Sequence, residues 1–543
     1  MNNGVVRVPV PYNEPTYDYA PGSKERAGLK AELEKQSSQG VIKIPLVIGG
    51  KEIWDGAKAH VREPHNKANI LAEYTIATPE HLKLAVEEAM KAREMWYSMP
   101  WNHRVAIFLK AADLLTHKYR YVINAATMLN QSKTAHQAEI DAACELIDFL
   151  RYNVAYVQEI YEHQPNSSPT IWNRMEHRPL SGFVLAVSPF NFTAIGGNLP
   201  VCPAIMGNTV LWKPASTAVY SNYLFYKIMV EAGLPAGVIN FVPSKGSDVS
   251  EHVVSDPRLA GFHFTGSTAV FNSVWKQIGE NISSYQNFPR IVGETGGKDF
   301  IFADPSADVD VLVTAMVRGA YEFQGQKCSA ASRAYVPESM WPEVKEKALA
   351  EIAKIKMGDV RDFRNFMGAV IDENSFKNIA SYIEHARSSA DAEVLCGGYD
   401  DSKGYFVEPT LILAKKPDFK TMCEEIFGPV LSVFVYQDDK QDEAIDSCIN
   451  ATPYALTGSI IAQDRTAITR LERALYDAAG NFYINDKPTG AVIGQQPFGG
   501  GRASGTNDKA GSVFNLLRWT SARSIKETLL PPTSVPYPFM GEE

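Results

Sequence analysis

From residue 182 onward the chain alternates short runs of β-branched and aromatic residues with longer helical patterns, and this alternation constrains its fold more than any other feature. The runs 183–187, 209–212, 239–242 and 261–264 make one series. A second extends from Asp299 to 481–485, with strand candidates at 334–336 and 430–436. Strands separated by helical segments imply parallel βαβ units. The expected fold class is α/β, with two doubly wound parallel sheets.

Before that point the chain reads as helical. Ser23 can cap a helix over 23–39, in which Leu29 and Leu33 share a face. Apolar residues recurring at three and four predict helices over 79–97, 103–117 and 137–161, the last with the stripe Ile140, Ala143, Cys144, Ile147 and Leu150. The proline-punctuated opening to about Tyr19 is expected to run extended over another part of the surface. Residues 162–176 and the last thirty or so lack helical pattern and read as extended arms.

Composition narrows the function. A chain of 543 residues that is 45% hydrophobic can bury two large cores, and its net charge of −9 with no lysine/arginine block disfavours nucleic acid and anionic membranes as partners. No apolar run reaches the ~20 residues of a membrane span. A small-molecule substrate is expected. Six scattered cysteines suggest a reducing compartment rather than a disulfide framework, and none stands at metal-ligand spacing. The first twenty residues carry Arg7 as their one basic residue, unlike a targeting segment. Cytoplasm is the expectation; a matrix enzyme after removal of its presequence would read the same.

Chemistry enters with Cys328, in Phe323-Gln324-Gly325-Gln326-Lys327-Cys328-Ser329-Ala330, and with Glu294, 34 residues earlier in Gly293-Glu294-Thr295-Gly296-Gly297-Lys298. A lone cysteine is usually a small buried hydrophobe. A thiol among small residues with a carboxylate to activate it or a water can instead serve as a covalent catalyst. Other runs accompany the pair. Asn191 follows the strand at 183–187, where ligands collect in open α/β sheets, and its amide could donate to an oxyanion. Lys213 ends the next strand; Gly266 and Ser267 open a helix whose amino end suits a pyrophosphate. Glu425 and Phe427 precede the strand at 430–436, and Pro497-Phe498-Gly499-Gly500-Gly501-Arg502-Ala503-Ser504-Gly505 reads as a tight loop. Each run alone is equally a turn or a surface residue.

Together, in this order, they resemble an NAD(P)-dependent aldehyde dehydrogenase from about residue 45 to 525. The resemblance implies two Rossmann-like domains, one binding NAD and one catalytic, plus a β-rich oligomerisation arm. The boundaries expected are an N-terminal extension at 1–45, an NAD-binding domain at 46–161 and 178–292, a catalytic domain at 293–508, and the arm at 162–177 and 509–543. It further implies Cys328 as nucleophile, Glu294 as general base, and Asn191 with the Cys328 N–H as oxyanion hole. Ser188, Lys213, Ser216, Gly266, Ser267, Glu425 and Phe427 would contact the cofactor. A homodimer or larger homo-oligomer is expected.

The run from Asn485-Asp486-Lys487-Pro488-Thr489-Gly490-Ala491 to Gln496-Pro497-Phe498 resembles, within that family, the branch acting on L-glutamate γ-semialdehyde, which equilibrates with Δ1-pyrroline-5-carboxylate. Phe190-Asn191-Phe192-Thr193-Ala194 and Cys328-Ser329 point the same way. Ser329 and the N–H groups of Gly490 and Ala491 would anchor the substrate's α-carboxylate, with Phe192 and Phe498 beside them. The implied reaction is NAD-dependent oxidation to glutamate. Alternatives are a dehydrogenase of another semialdehyde and a non-catalytic protein on the same fold. Ser216 stands where many NAD-preferring relatives carry a glutamate, which leaves NADP use open. Phe271 stands where many carry a second glycine.

Overall fold

The computed structural model describes residues 4–542 and contains two seven-stranded sheets. Residues 1–3 of the expected N-terminal extension and residue 543 of the expected arm lie outside the described residues. The first sheet runs in the order Arg290–Glu294, Leu259–Thr265, Phe183–Val187, Thr209–Lys213, Ile239–Phe241, Leu46–Ile48, Lys51–Ile53. Its first five strands are parallel, and the last two continue antiparallel. Chain order reverses between Phe183–Val187 and Leu259–Thr265, so a crevice opens at the carboxyl ends of those two strands. Helices cover both faces, which is why Leu259–Thr265 is buried at every position.

The second sheet has the order Ala392–Cys396, Thr410–Ala414, Val430–Tyr436, Ala331–Pro337, Asp299–Ala303, Thr457–Ile461, Asn481–Ile484, parallel except at its first strand. One short connection decides how the sheets meet. Arg290–Glu294 closes the first sheet and Asp299–Ala303 belongs to the second, with only 295–298 between them. Five peptide steps span at most about 18 Å. Carboxyl ends of the first sheet therefore face amino ends of the second, where the chain enters Ala331–Pro337 and Val430–Tyr436.

The helical stretch keeps its outline and changes in detail. The helix expected over 137–161 is Ala135–Ala138 and Leu146–Glu162, joined by a wide π-turn at Glu139–Glu145. The one expected over 103–117 is Trp101–Leu114, followed by a second wide turn. Arg120–Gln131 is a further helix that periodicity misses, because polar Asn124, Thr127, Asn130 and Gln131 are among its buried residues. The opening stretch is extended, but it is not merely laid on the surface. Glu14 and Tyr19 are buried, and the Glu14 carboxylate lies between Arg120 and Arg151. Ile171–Pro179 pairs antiparallel with Thr520–Thr528 as a two-stranded ribbon outside both sheets. No helix among the described residues is long and apolar enough to cross a membrane.

Candidate active site

The chain reaches Cys328 through three successive left-handed residues, Phe323 (φ 51°), Gln324 (φ 54°) and Gly325 (φ 65°), after the helix Val309–Tyr321. A side chain on Gly325 would strike the Gly428 carbonyl oxygen, its Cβ lying 2.3 Å away. Left-handed backbone costs a non-glycine residue about 1–2 kcal/mol. Buried hydrogen bonds offset that cost, at about 1 kcal/mol each. Gln324 Nε2 donates to the carbonyls of Ser132 (3.0 Å) and Ala369 (2.8 Å), and its Oε1 accepts from the Gly368 N–H (3.0 Å). Gln326 Oε1 accepts from Ile371 N–H (2.9 Å). The loop bearing Cys328 is thus fixed from behind. In front, Asn191 Nδ2 donates one hydrogen to the Gln326 carbonyl (3.1 Å), and the Cys328 N–H has no acceptor among the described residues.

Glu294 ends Arg290–Glu294, the edge strand of the first sheet. Its carbonyl accepts from Gly266 N–H (3.2 Å), while the Thr295 N–H donates to Ser504 O (3.0 Å) and the Thr506 N–H to Gly293 O (2.9 Å). The Gly266 turn, the candidate base and the glycine-rich loop therefore converge. Burial pushes the Glu294 carboxyl up to about 8, with Lys509 pulling down and Asp508 pushing up. Burial also drives the Cys328 thiol well above its usual range, reinforced by the carboxylates of Glu294, Asp299, Glu425 and Glu145. Both shifts favour the uncharged forms, a thiol and a carboxyl.

Along the carboxyl edge of the first sheet, Lys213 opens onto a cleft of about 340 Å³ lined with Tyr74, Ile76, Ser216, Ser244 and Gly246. Its ammonium touches the Pro214 carbonyl at 3.5 Å and pairs with no carboxylate among the described residues; burial lowers its pKa. A half-buried cation without an anionic partner, in a hydroxyl-lined cleft, fits a dinucleotide. Ser216 lies exposed on the rim. Ser267 caps Thr268–Glu280 by accepting from Val270 N–H (3.4 Å), leaving that helix's positive end beside Gly266. Glu425 Oε1 accepts from Gly297 N–H (2.9 Å), and Phe427 meets Phe190 edge-on at 5.8 Å. The Ser188 hydroxyl accepts from Trp212 Nε1 (2.9 Å), which leaves its O–H to donate elsewhere, and its N–H donates to Lys213 O (3.1 Å). Phe271 is accommodated by Gly293, where a Cβ would lie 2.2 Å from its ring.

On the other side of Cys328, the buried Ser329 hydroxyl bonds the Thr489 hydroxyl at 2.8 Å. Gly490 follows at φ +104°, and the N–H groups of Gly490 and Ala491 have no acceptors among the described residues. Phe192 packs edge-on to Phe323 at 6.4 Å. Phe498 pairs with Ala510 through reciprocal backbone hydrogen bonds (3.0 and 2.8 Å).

The model of the aldehyde dehydrogenase family matches residues 54–525. The chain belongs to the aldehyde dehydrogenase family. It is 56% identical over 539 residues to the mitochondrial delta-1-pyrroline-5-carboxylate dehydrogenase of Dictyostelium discoideum, covering 98% of this chain and 96% of that one. With the human mitochondrial protein of the same name it shares 48% over 530 residues, 97% of this chain and 94% of the other. Among solved structures, the Mycobacterium tuberculosis Delta-pyrroline-5-carboxylate dehydrogenase bound with NAD is similar at a TM-score of 0.96 and 52% identity, each chain covered fully.

Several residues of this aldehyde dehydrogenase site escape sequence reasoning. Lys133, buried, places its ammonium 3.9 Å from the Phe192 ring centroid and 4.3 Å from that of Phe323. It pairs at 2.7 Å with Asp141, which also accepts from Thr193 N–H (3.0 Å) and Ala194 N–H (2.8 Å) and so fixes the turn after Asn191. Asp141 and Glu145 stand four apart on the wide turn, the one pattern that could have exposed them. Thr489 had only its place beside Gly490.

Proposed function

We propose that this aldehyde dehydrogenase oxidises L-glutamate γ-semialdehyde, in equilibrium with Δ1-pyrroline-5-carboxylate, to L-glutamate with reduction of NAD, the second step of proline degradation. The observation that carries it is the Ser329–Thr489 hydrogen bond, which holds the free N–H groups of Gly490 and Ala491 next to the nucleophile loop. Such groups form a nest for the substrate's α-carboxylate. The names borne by the Dictyostelium, human and mycobacterial relatives support the same reading.

In this reading Cys328 Sγ, its proton taken by a carboxylate, adds to the aldehyde carbon. The Asn191 amide and the Cys328 N–H donate to the resulting oxyanion, an arrangement worth about 3–4 kcal/mol when aligned. Lys213, Ser216, the Gly266–Ser267 turn, Glu425 and Phe427 would hold NAD⁺, which would supply the two-electron acceptor. After oxidation the acyl group remains on Cys328 as a thioester. Glu294 removes a proton from water, the hydroxide adds to the thioester carbon, and the Cys328 thiolate departs with release of glutamate.

The ribbon of Ile171–Pro179 and Thr520–Thr528, with Trp172 exposed, supports assembly as a homodimer or larger homo-oligomer. Six unpaired cysteines support a reducing compartment, cytoplasm or the mitochondrial matrix. Initial rates with prepared pyrroline-5-carboxylate, succinate semialdehyde and hexanal, each with NAD⁺ and NADP⁺, test the function. The semialdehyde of glutamate with NAD⁺ should be fastest; no turnover of it with either cofactor would reject the reading.

A further inference from the structure

The carboxylate loop is tied down at both ends, and its far tie comes from the opposite end of the chain. Near Cys328 the tie is Thr489 to Ser329. At the far end, Asn13 Nδ2 donates to the Ile493 carbonyl (2.8 Å) and to Asp148 Oδ2 (2.8 Å). Its Oδ1 accepts from Gln495 Nε2 (3.0 Å) and from the Tyr152 hydroxyl (3.3 Å). Both donors and both acceptor positions of one asparagine amide are in use. Gly494 lies flat against Tyr152, where a Cβ would come within 2.2 Å of the ring. Between the two ties stand Gly490 and Ala491, with nothing bonded to their N–H groups among the described residues.

The segment bearing Asn13 is itself anchored. The Glu14 N–H donates to Asp148 Oδ1 (2.7 Å), and the Glu14 carboxylate pairs with Arg120 (2.5 Å) and Arg151 (2.7 Å). Arg151 also lies over the Tyr12 ring at 4.1 Å, and Tyr19 donates to Glu139 (2.7 Å). Asp148 and Tyr152 belong to the helix Leu146–Glu162, so strap, helix and loop form one hydrogen-bonded unit.

We propose that Asn13 is a positioning residue for substrate selection, fixing the far end of the 489–495 loop so that Gly490 and Ala491 present their N–H groups to the α-carboxylate. The proposal rests on the semialdehyde reading of the site. Asn13 touches neither the nucleophile nor the base. Its effect should therefore fall on the KM of aldehydes that carry the carboxylate and spare those that do not.

The test measures kcat and KM for glutamate semialdehyde and for butanal, with saturating NAD⁺, in the unaltered chain, Asn13→Ala and Gln495→Ala. Asn13→Ala leaves Glu14 between its arginines, so the strap stays docked. Its semialdehyde KM should rise about tenfold, the scale of one or two neutral hydrogen bonds, with kcat within about twofold and butanal KM unmoved. Gln495→Ala, which removes one of the four bonds, should raise the same KM about threefold. An unchanged semialdehyde KM, or equal rises for both aldehydes, overturns the proposal. Should Asn13→Ala fail to fold, the exposed Gln495→Ala is judged by the same two readings. An unaltered enzyme that prefers butanal would instead overturn the substrate reading and the strap role with it, so the two failures are distinguishable.

Discussion

The two seven-stranded sheets are built alike and used at opposite ends. The first offers its carboxyl edge, where Asn191, Lys213, Gly266 and Glu294 follow or end strands. The second offers its amino edge, where Cys328 and the Glu425–Phe427 turn precede strands. Ligands in open α/β sheets usually gather at carboxyl ends. The four-residue link 295–298 explains the exception, because it brings one edge against the other. On the proposed reading the difference is a division of labour: the first sheet supplies a cofactor cleft and a base, and the second a nucleophile with Ser329 beside it to tie the carboxylate loop.

Substitutions on each edge can break that division. Cys328→Ala should lower steady-state turnover by at least about 10⁴-fold. NAD⁺ binding, followed by fluorescence quenching, should hardly change; if both functions fell together, the edges would not be separable. Glu294→Gln should slow hydrolysis by about 10²–10⁴-fold while preserving a first burst of NADH. Where hydrolysis limits the unaltered enzyme, its rate should rise with pH through about 8 and level off above, since the base must be deprotonated to act. Loss of that limb in Glu294→Gln would tie it to this carboxyl. Asn191→Ala should reduce kcat by about 10²–10³-fold without a matching change in KM for NAD⁺. Lys213→Ala, the smallest, should raise KM for NAD⁺ by about tenfold through loss of one charged contact, leaving iodoacetamide labelling of Cys328 unchanged.

Legibility in the sequence followed the same division. The first sheet's strands are apolar runs bounded by turn residues, so their ends, and the places of Asn191, Lys213 and Ser267 just beyond them, could be read locally, though not what those residues do. Cys328 and Glu425 were legible only as members of an ordered set of runs. What could not be read were polar residues buried against distant partners. Lys133 and Asp141 look like surface charge until they pair with each other beneath Phe192 and Phe323. Ser188 looks free until Trp212 bonds it. The opening segment has no periodicity at all, and its place depends on Arg120 and Arg151, more than a hundred residues away. Such contacts leave no local pattern, because each partner sees only the fold.

Covalent capture on Cys328 tests the account most directly. Glu294→Gln enzyme, mixed with glutamate semialdehyde and NAD⁺, quenched in acid and analysed by peptide mass spectrometry, should carry a γ-glutamyl adduct on the Cys328 peptide. NADH formed in the burst should match it in amount. A burst with Cys328 unmodified and the adduct on another cysteine would contradict the assignment of nucleophile and base alike.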